Sequence, residues 1–159
     1  EGMTGTYNAY ERDGKTLAQG GYSNQIVTDE NYVLRVSPKL DLKAVAPLLC
    51  AGITTYSPLR YVGVGPGKKV GVIGLGGLGH MGLKFAVSFG AEVSLITTSN
   101  SKADDARRLG AQNVILSTDK AMMKKYDSHF DVLLNTLSAN HSYSHYLRLL
   151  SLNGTMKVK

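Results

Sequence analysis

The chain has 159 residues, 43% of them hydrophobic and 19% charged, with 18 basic against 12 acidic residues for a net charge of +6. This balance excludes a chain disordered in bulk. The apolar run of nine residues at positions 45–53, counting Pro47 and Gly52, falls short of the ~20 that a membrane-spanning helix needs. The basic residues fall in scattered pairs, Lys68-Lys69, Arg107-Arg108 and Lys124-Lys125, with no stripe interleaved with aromatics, so nothing motivates a nucleic-acid partner. The single cysteine, Cys50, cannot form an intrachain disulfide or close a cysteine-based zinc site, and fits a reducing cytoplasmic compartment. The opening Glu1-Gly2-Met3-Thr4 lacks the pattern of a secretory signal, and the missing initial Met points to a true N-terminus upstream.

In chain order, residues 1 to about 36 read as β. Asp13-Gly14 is a hairpin dipeptide, and 22–27 and 32–36 are strand candidates, too few to bury a core of their own. From Pro38 the pattern turns helical, with a stretch opened by Asp41 and running to about Tyr61. Pro47 lies too deep for its first turn and is expected to bend or restart it. Strands and helices then alternate. A strand at 69–73 leads to a helix at 78–89 with Leu78, Met81, Phe85 and Phe89 as its apolar stripe and Gly90 as its stop. A strand at 92–97 leads to a helix started by the capping box Ser101-Lys102-Ala103-Asp104 and ended at Leu109-Gly110. A strand at 113–116, a weak helix at 122–126, a strand at 130–135 and a helix at 142–150 closed by Asn153-Gly154 follow. A fifth strand begins at 155–159. This spacing predicts right-handed βαβ units on a parallel sheet. A chain that stops inside its fifth strand is expected to leave an unpaired edge and to self-associate.

Chemistry enters at Gly74-Leu75-Gly76-Gly77-Leu78-Gly79, which follows one predicted strand directly and opens a predicted helix. In that context Gly74 permits the tight turn, Gly76 lets the backbone approach a pyrophosphate, and Gly79 lets the helix pack close to the strand. The helix N-terminus offers free N–H groups to phosphates. The alternative is a glycine turn that merely packs. An NAD site places a carboxylate at the end of the second strand to hold the ribose 2′-hydroxyl. Here that end reads Thr97-Thr98-Ser99-Asn100-Ser101-Lys102, and Glu92 sits at the opposite end. Hydroxyls with Lys102 suit a 2′-phosphate, so NADP(H) is expected over NAD. The fold expected is α/β, a Rossmann parallel sheet truncated after the fifth strand with an incomplete N-terminal β portion.

Leu48-Leu49-Cys50-Ala51-Gly52-Ile53-Thr54-Thr55-Tyr56-Ser57-Pro58-Leu59, the glycine turn through Met81, Gly20-Gly21-Tyr22-Ser23 and Asn135-Thr136 together carry a resemblance over nearly the whole chain. The chain resembles the cinnamyl alcohol dehydrogenase branch of the zinc-dependent medium-chain alcohol dehydrogenases, above all the bacterial NADP-dependent aldehyde reductases. The resemblance implies an enzyme that interconverts aldehydes and primary alcohols with NADP(H) and a catalytic zinc, as a cytoplasmic homodimer in its intact form with no membrane partner. It implies residues 1–40 as a remnant of a GroES-like catalytic domain, and 41–159 as an NADP-binding Rossmann domain incomplete at its C-terminus. By position, Cys50 matches a zinc ligand and Thr54 the nicotinamide end. Gly74, Leu75, Gly76, Gly77, Leu78 and Gly79 match the pyrophosphate turn, Thr98, Ser99 and Lys102 the 2′-phosphate pocket, and Thr136 a cofactor-contacting threonine.

The departures favour a rival reading of this chain alone, as a non-catalytic NADP-binding fragment. The family's upstream Cys-His and Gly-His-Glu segments, its four-cysteine lobe and its proton-relay hydroxyl are not in these 159 residues. Without the resemblance, Cys50 in its apolar surroundings reads as a buried structural cysteine. His141 and His145, four apart with no Glu after His141, read as a solvated pair on a helix face. His80 reads either as helix surface or as a phosphate contact. The aldehyde itself is not legible.

Overall fold

The computed structural model describes residues 5–158. The opening Glu1-Gly2-Met3-Thr4 and Lys159, the last residue of the predicted fifth strand, lie outside them. The chain divides into two compact units, Glu1–Pro38 and Lys39–Lys159.

In the first unit a short antiparallel hairpin pairs β1 (Ala9–Tyr10) with β2 (Leu17–Ala18). Its turn is organised by Asp13, whose carboxylate accepts from the backbone N–H of Lys15 at 2.8 Å and of Thr16 at 2.9 Å, and from the Thr16 hydroxyl. The predicted strands at 22–27 and 32–36 do not form. Apart from a 3₁₀ turn at Glu30–Tyr32 the segment is irregular, and Tyr22, Ile26, Val27 and Leu34 are exposed. A strand needs a neighbour to take its backbone hydrogen bonds. Among the described residues, β1 and β2 pair only with each other.

The second unit opens with α1 (Leu42–Val45), whose N-cap Asp41 accepts from the backbone N–H of Lys43. Pro47 then restarts the chain as a 3₁₀ turn, Ala46–Leu49, as its fixed φ and missing N–H require. A second break at Cys50 precedes α2 (Ala51–Tyr61). The strands β3 (Lys69–Ile73), β4 (Glu92–Thr97), β5 (Asn113–Leu116), β6 (Phe130–Asn135) and β7 (Leu150–Val158) form one sheet in the order β5-β4-β3-β6-β7. Every neighbouring pair is parallel. The chain runs outward from β3 through β4 to β5, then crosses back to β6 beside β3. The sheet order therefore reverses between β3 and β6. This is the predicted α/β Rossmann arrangement.

Both faces of the sheet are covered, and successive residues alternate between them, as strand pleating requires. Val70, Val72, Val93, Leu95, Val132 and Leu134 pack with Leu83 and Ala86 of α3 (Gly77–Ser88) and Leu59 of α2. Ile73, Ile96, Ile115, Phe130 and Leu133 pack on the other face with Met123 of α5 (Lys120–Lys124) and Tyr146 of α6 (Ser144–Leu147). Each fully buried side chain of this size contributes about 1.5–3 kcal/mol.

Several helices depart from their predicted form. The face of α3 against the sheet is Gly79, Gly82, Leu83 and Ala86. Phe85 and Phe89 of the predicted stripe instead each meet Tyr56 of α2 edge-on at 5.4 Å. The capping box at Ser101 does not form. Ser99 caps a 3₁₀ turn, Asn100–Lys102, by accepting from the Ser101 N–H, and α4 (Ala103–Arg108) follows it. The weak helix begins two residues earlier than expected, because the Asp119 carboxylate caps it from Ala121 and Met122. The predicted helix at 142–150 is only α6. Leu150 already belongs to β7, and Asn153, at φ +64°, lies in an irregular stretch of the strand where Leu150 to Thr155 is set against Phe130 to Val132. β7 is a sheet edge with Leu152 exposed. Among the described residues no helix is long and apolar enough to cross a membrane.

Candidate functional site

In an open parallel sheet, ligands bind beyond the carboxyl ends of the strands where the strand order reverses. In this chain that point lies between β3 and β6, and a cleft of about 300 Å³ opens there. Its wall comes from the segments that follow four strands: Gly74, Leu75 and Gly76 after β3, Thr98, Ser99 and Lys102 after β4, Ser117 after β5, and Thr136 to Ala139 after β6.

The glycine turn has the geometry its sequence implies. Gly74 has φ +88°, a left-handed conformation that side chains with a Cβ adopt at a cost. Its N–H donates to the Ile96 carbonyl at 2.9 Å, holding the turn to β4. A Cβ on Gly79 would lie 2.0 Å from the Gly74 carbonyl oxygen, so the start of α3 sits against the end of β3 at a distance only glycine allows. Around Gly76 and Gly77 there is open space, with no atom within 4 Å of where a Cβ would stand. Gly76 caps α3 without any side-chain hydrogen bond, and the first turn of α3 carries no acidic residue. The helix thus presents its first N–H groups, and the positive end of its dipole, unopposed by a side chain.

At the second strand the cleft wall contains hydroxyls and a cation. No carboxylate lines it, and Glu92 is exposed at the opposite end of β4. Ser99 and Ser101 hydroxyls are 2.9 Å apart. The Lys102 ammonium reaches back across the mouth to donate to the Leu75 carbonyl at 3.0 Å. This bond holds the ammonium beside the glycine turn. An adjoining hollow is lined by Leu75, His80, Lys102 and Arg108, and His80 itself is exposed. Arg108 is paired with Asp105 there.

On the β6 side, Thr136 bridges the strands: its hydroxyl donates to the Ile73 carbonyl at 2.8 Å, and its N–H donates to the same oxygen at 3.1 Å. Thr136 is shared with a smaller hollow of about 60 Å³ that Thr54, Leu78 and Lys157 also line. Of the residues singled out in the sequence, Gly74, Leu75, Gly76, Thr98, Ser99, Lys102 and Thr136 therefore meet at one cleft, and Thr54 and Leu78 at its neighbour. Gly77 opens α3, Gly79 underlies the turn, and Cys50 lines neither hollow. Cys50 is exposed, contrary to its reading as a buried structural cysteine. It lies one helical turn before Thr54, whose N–H donates to the Cys50 carbonyl at 3.0 Å. Among the described residues no three His, Cys, Asp or Glu side chains stand together as a metal site.

The histidines also differ from expectation. His141 lies before α6, is half-buried and is hydrogen-bonded at both ring nitrogens. His145 is half-buried, its Nε2 lying 3.2 Å from the Ser117 carbonyl. They are not a solvated pair. Sequence reasoning also missed Ser117 and the wall at Leu137, Ser138 and Ala139. The signal that finds them is topological, since each follows the carboxyl end of a strand.

The family model described as zinc-binding dehydrogenase matches residues 77–158. The chain is 55% identical over 155 residues to the NADP-dependent alcohol dehydrogenase C 1 of Mycolicibacterium smegmatis, covering 98% of this chain and 44% of that protein. It is 53% identical over 157 residues to the aldehyde reductase YahK of Escherichia coli, covering 98% and 45%. A cinnamyl alcohol dehydrogenase structure from Sorghum bicolor superposes with a TM-score of 0.89 at 43% identity, covering 95% of this chain and 44% of that one. One from Helicobacter pylori, complexed with NADP(H), superposes at 0.84 with 44% identity, covering 93% and 41%. The chain thus spans less than half the length of the relatives it matches. With over half of its residues matched by that family's model, and with the glycine turn at the reversal of its sheet, the chain belongs to the zinc-binding dehydrogenases.

Proposed function

We propose that this chain supplies the NADP(H)-binding part of an alcohol dehydrogenase or aldehyde reductase that interconverts aldehydes and primary alcohols. The observation that carries this reading is the cleft at the sheet reversal. An uncapped helix start lies behind a glycine turn, and hydroxyls with Lys102, in place of a carboxylate, stand at the end of the second strand. The names of the relatives and the NADP(H) complex of the Helicobacter pylori structure support it.

In this reading the backbone N–H groups opening α3 hold the pyrophosphate, with Gly76 leaving room for its approach. Thr98, Ser99 and Lys102 take the 2′-phosphate. Lys102 gives up its bond to the Leu75 carbonyl for a charged acceptor, a stronger interaction than a neutral one. Thr136 and Thr54 flank the nicotinamide end. When bound, NADPH supplies the hydride that reduces an aldehyde carbon.

Zinc does not fit the described residues on their own. A catalytic site takes three protein ligands, and only Cys50 stands at a position the resemblance assigns. Cys50 is proposed as one ligand of a centre whose other ligands lie outside these 159 residues. The same observation favours a second reading, a non-catalytic NADP-binding chain. The resemblance implies a cytoplasmic homodimer for the whole protein.

The test is a titration of the purified chain with NADPH and NADH, following nicotinamide fluorescence, which the absence of tryptophan leaves unmasked. At least tenfold tighter binding of NADPH, about 1.4 kcal/mol, is expected. Equal binding of both, or of neither, refutes the proposal. Turnover of an aromatic aldehyde with NADPH and zinc separates the enzyme from the non-catalytic reading.

A further inference from the structure

We infer that His141 is a positioning residue for the cofactor cleft, acting through Asn135 to fix the wall that follows β6. The inference rests on the proposed binding of NADP(H) in that cleft.

Asn135 ends β6 with only 1% of its surface exposed, so both ends of its amide need partners. Its Oδ1 accepts from the Leu137 N–H at 3.1 Å. That fixes the amide orientation and turns Nδ2, a donor, toward His141 Nε2 at 2.8 Å. His141 Nε2 is therefore the acceptor. His141 Nδ1 lies 2.7 Å from the Ala139 carbonyl, an acceptor only, and so carries the proton. The network assigns a neutral imidazole with its proton on Nδ1.

The ring thus ties the buried end of β6 to the carbonyl of Ala139, four residues on, and the segment between them is the cleft wall. Leu137, held by the same amide, places its Cδ2 2.8 Å from where a Cβ on Gly74 would stand, so it sets the closest side-chain approach to the glycine turn. The His141 ring also packs against Tyr143 at 4.9 Å and edge-on against Tyr146 at 5.8 Å, and Tyr146 lines the cleft. His141 itself does not line it. Its effect on a ligand is exerted through the positions of Leu137, Ala139 and Tyr146.

Two variants separate hydrogen bonding from ring packing. His141→Phe keeps a ring against Tyr143 and Tyr146 but strands the Asn135 amide. His141→Gln offers one acceptor and one donor again. In H141F, NADPH affinity is expected to fall about tenfold, the scale of losing one buried hydrogen bond, and in H141Q by no more than about threefold. Hydrogen exchange of the Leu137 amide is expected to quicken in H141F and to stay near the parent rate in H141Q. In the unmodified chain, 15N NMR of the imidazole is expected to show the proton on Nδ1. A proton on Nε2 overturns the inference without recourse to any variant. Unchanged Leu137 exchange in H141F overturns it whether or not the chain binds NADPH, and so does faster exchange with unchanged NADPH affinity. Failure of the unmodified chain to bind NADPH overturns the cofactor reading instead, and the Leu137 and imidazole measurements then decide the anchoring role by themselves.

Discussion

Gly79→Ala and Gly76→Ala place the same methyl group in two parts of one turn, and opposite outcomes are expected. At Gly79 the Cβ would stand 2.0 Å from the Gly74 carbonyl oxygen, where ordinary contact begins near 3.4 Å, so the start of α3 must retreat by the difference, about 1.4 Å. The obstacle is backbone, and Gly74 cannot yield without straining its left-handed φ or moving Leu137. Overpacking of this kind costs about 1–3 kcal/mol, and a rigid obstacle puts G79A at the upper end. For a domain of this size that is a drop on the order of 10 °C in Tm. At Gly76 the added methyl meets nothing, and φ −85° with ψ −165° is open to alanine. The loss of a glycine N-cap and the gain from restricting the unfolded chain each amount to less than about 1 kcal/mol and oppose each other. G76A should therefore melt within about 3 °C of the parent. Yet its methyl projects into the space that a pyrophosphate would need, so NADPH affinity should fall at least tenfold, about 1.4 kcal/mol. Thermal denaturation by circular dichroism and NADPH titration by fluorescence read the two quantities separately. A G79A chain as stable as the parent would show that α3 does not need the close approach. A G76A chain that binds NADPH undiminished would show that the turn packs and does nothing more.

Lys102→Ala removes an exposed side chain and one bond to a backbone carbonyl, so stability should change by less than about 0.5 kcal/mol; NADPH binding should weaken at least about tenfold with NADH binding unchanged, and equal losses for both would contradict a 2′-phosphate role. Cys50→Ser alters an exposed residue outside the cleft, so NADPH affinity should stay the same, and the native thiol should react with a water-soluble maleimide as fast in the folded chain as in urea; slow labelling would show that Cys50 is covered. The Thr16 hydroxyl, with the Thr16 and Lys15 N–H groups, holds the Asp13 carboxyl below the usual aspartate range. A depressed folded-state value means that its stabilising contribution is present above the unfolded value, about 3.9, and is lost as pH falls through the lower folded value. Carboxyl 13C NMR should show a midpoint below that of the urea-unfolded chain, and Thr16→Val should raise it; a folded midpoint at or above the unfolded one would mean that the hairpin turn does not hold in solution.

Four strands of the second unit, 69–73, 92–97, 113–116 and 130–135, are legible to the residue in the sequence. Each is a short, mostly apolar run, buried on both faces in 69–73, 92–97 and 130–135, which leaves little room for another register. The candidate strands of the first unit carry a similar pattern, but a strand exists only with a partner, and the pattern does not reveal whether one is at hand. The face of α3 was hidden for a different reason. Hydrophobic periodicity finds large side chains, whereas the face buried against the sheet is Gly79, Gly82, Leu83 and Ala86, because the helix lies too close to β3 and β6 to admit more.

The same distinction divides the candidate site. Where the backbone itself is the binding surface, residue type is nearly sufficient: a glycine at φ +88° and another against a carbonyl oxygen leave their mark directly in the sequence. Where the wall is built by a segment folding back, as at Leu137 to Ala139, no residue type announces the role. It follows from an amide at the end of β6 whose Nδ2 finds its acceptor on a histidine six positions later. Spacing alone made His141 and His145 neighbours on one helix. The demand of a buried asparagine for a partner draws His141 off that helix and onto the end of β6.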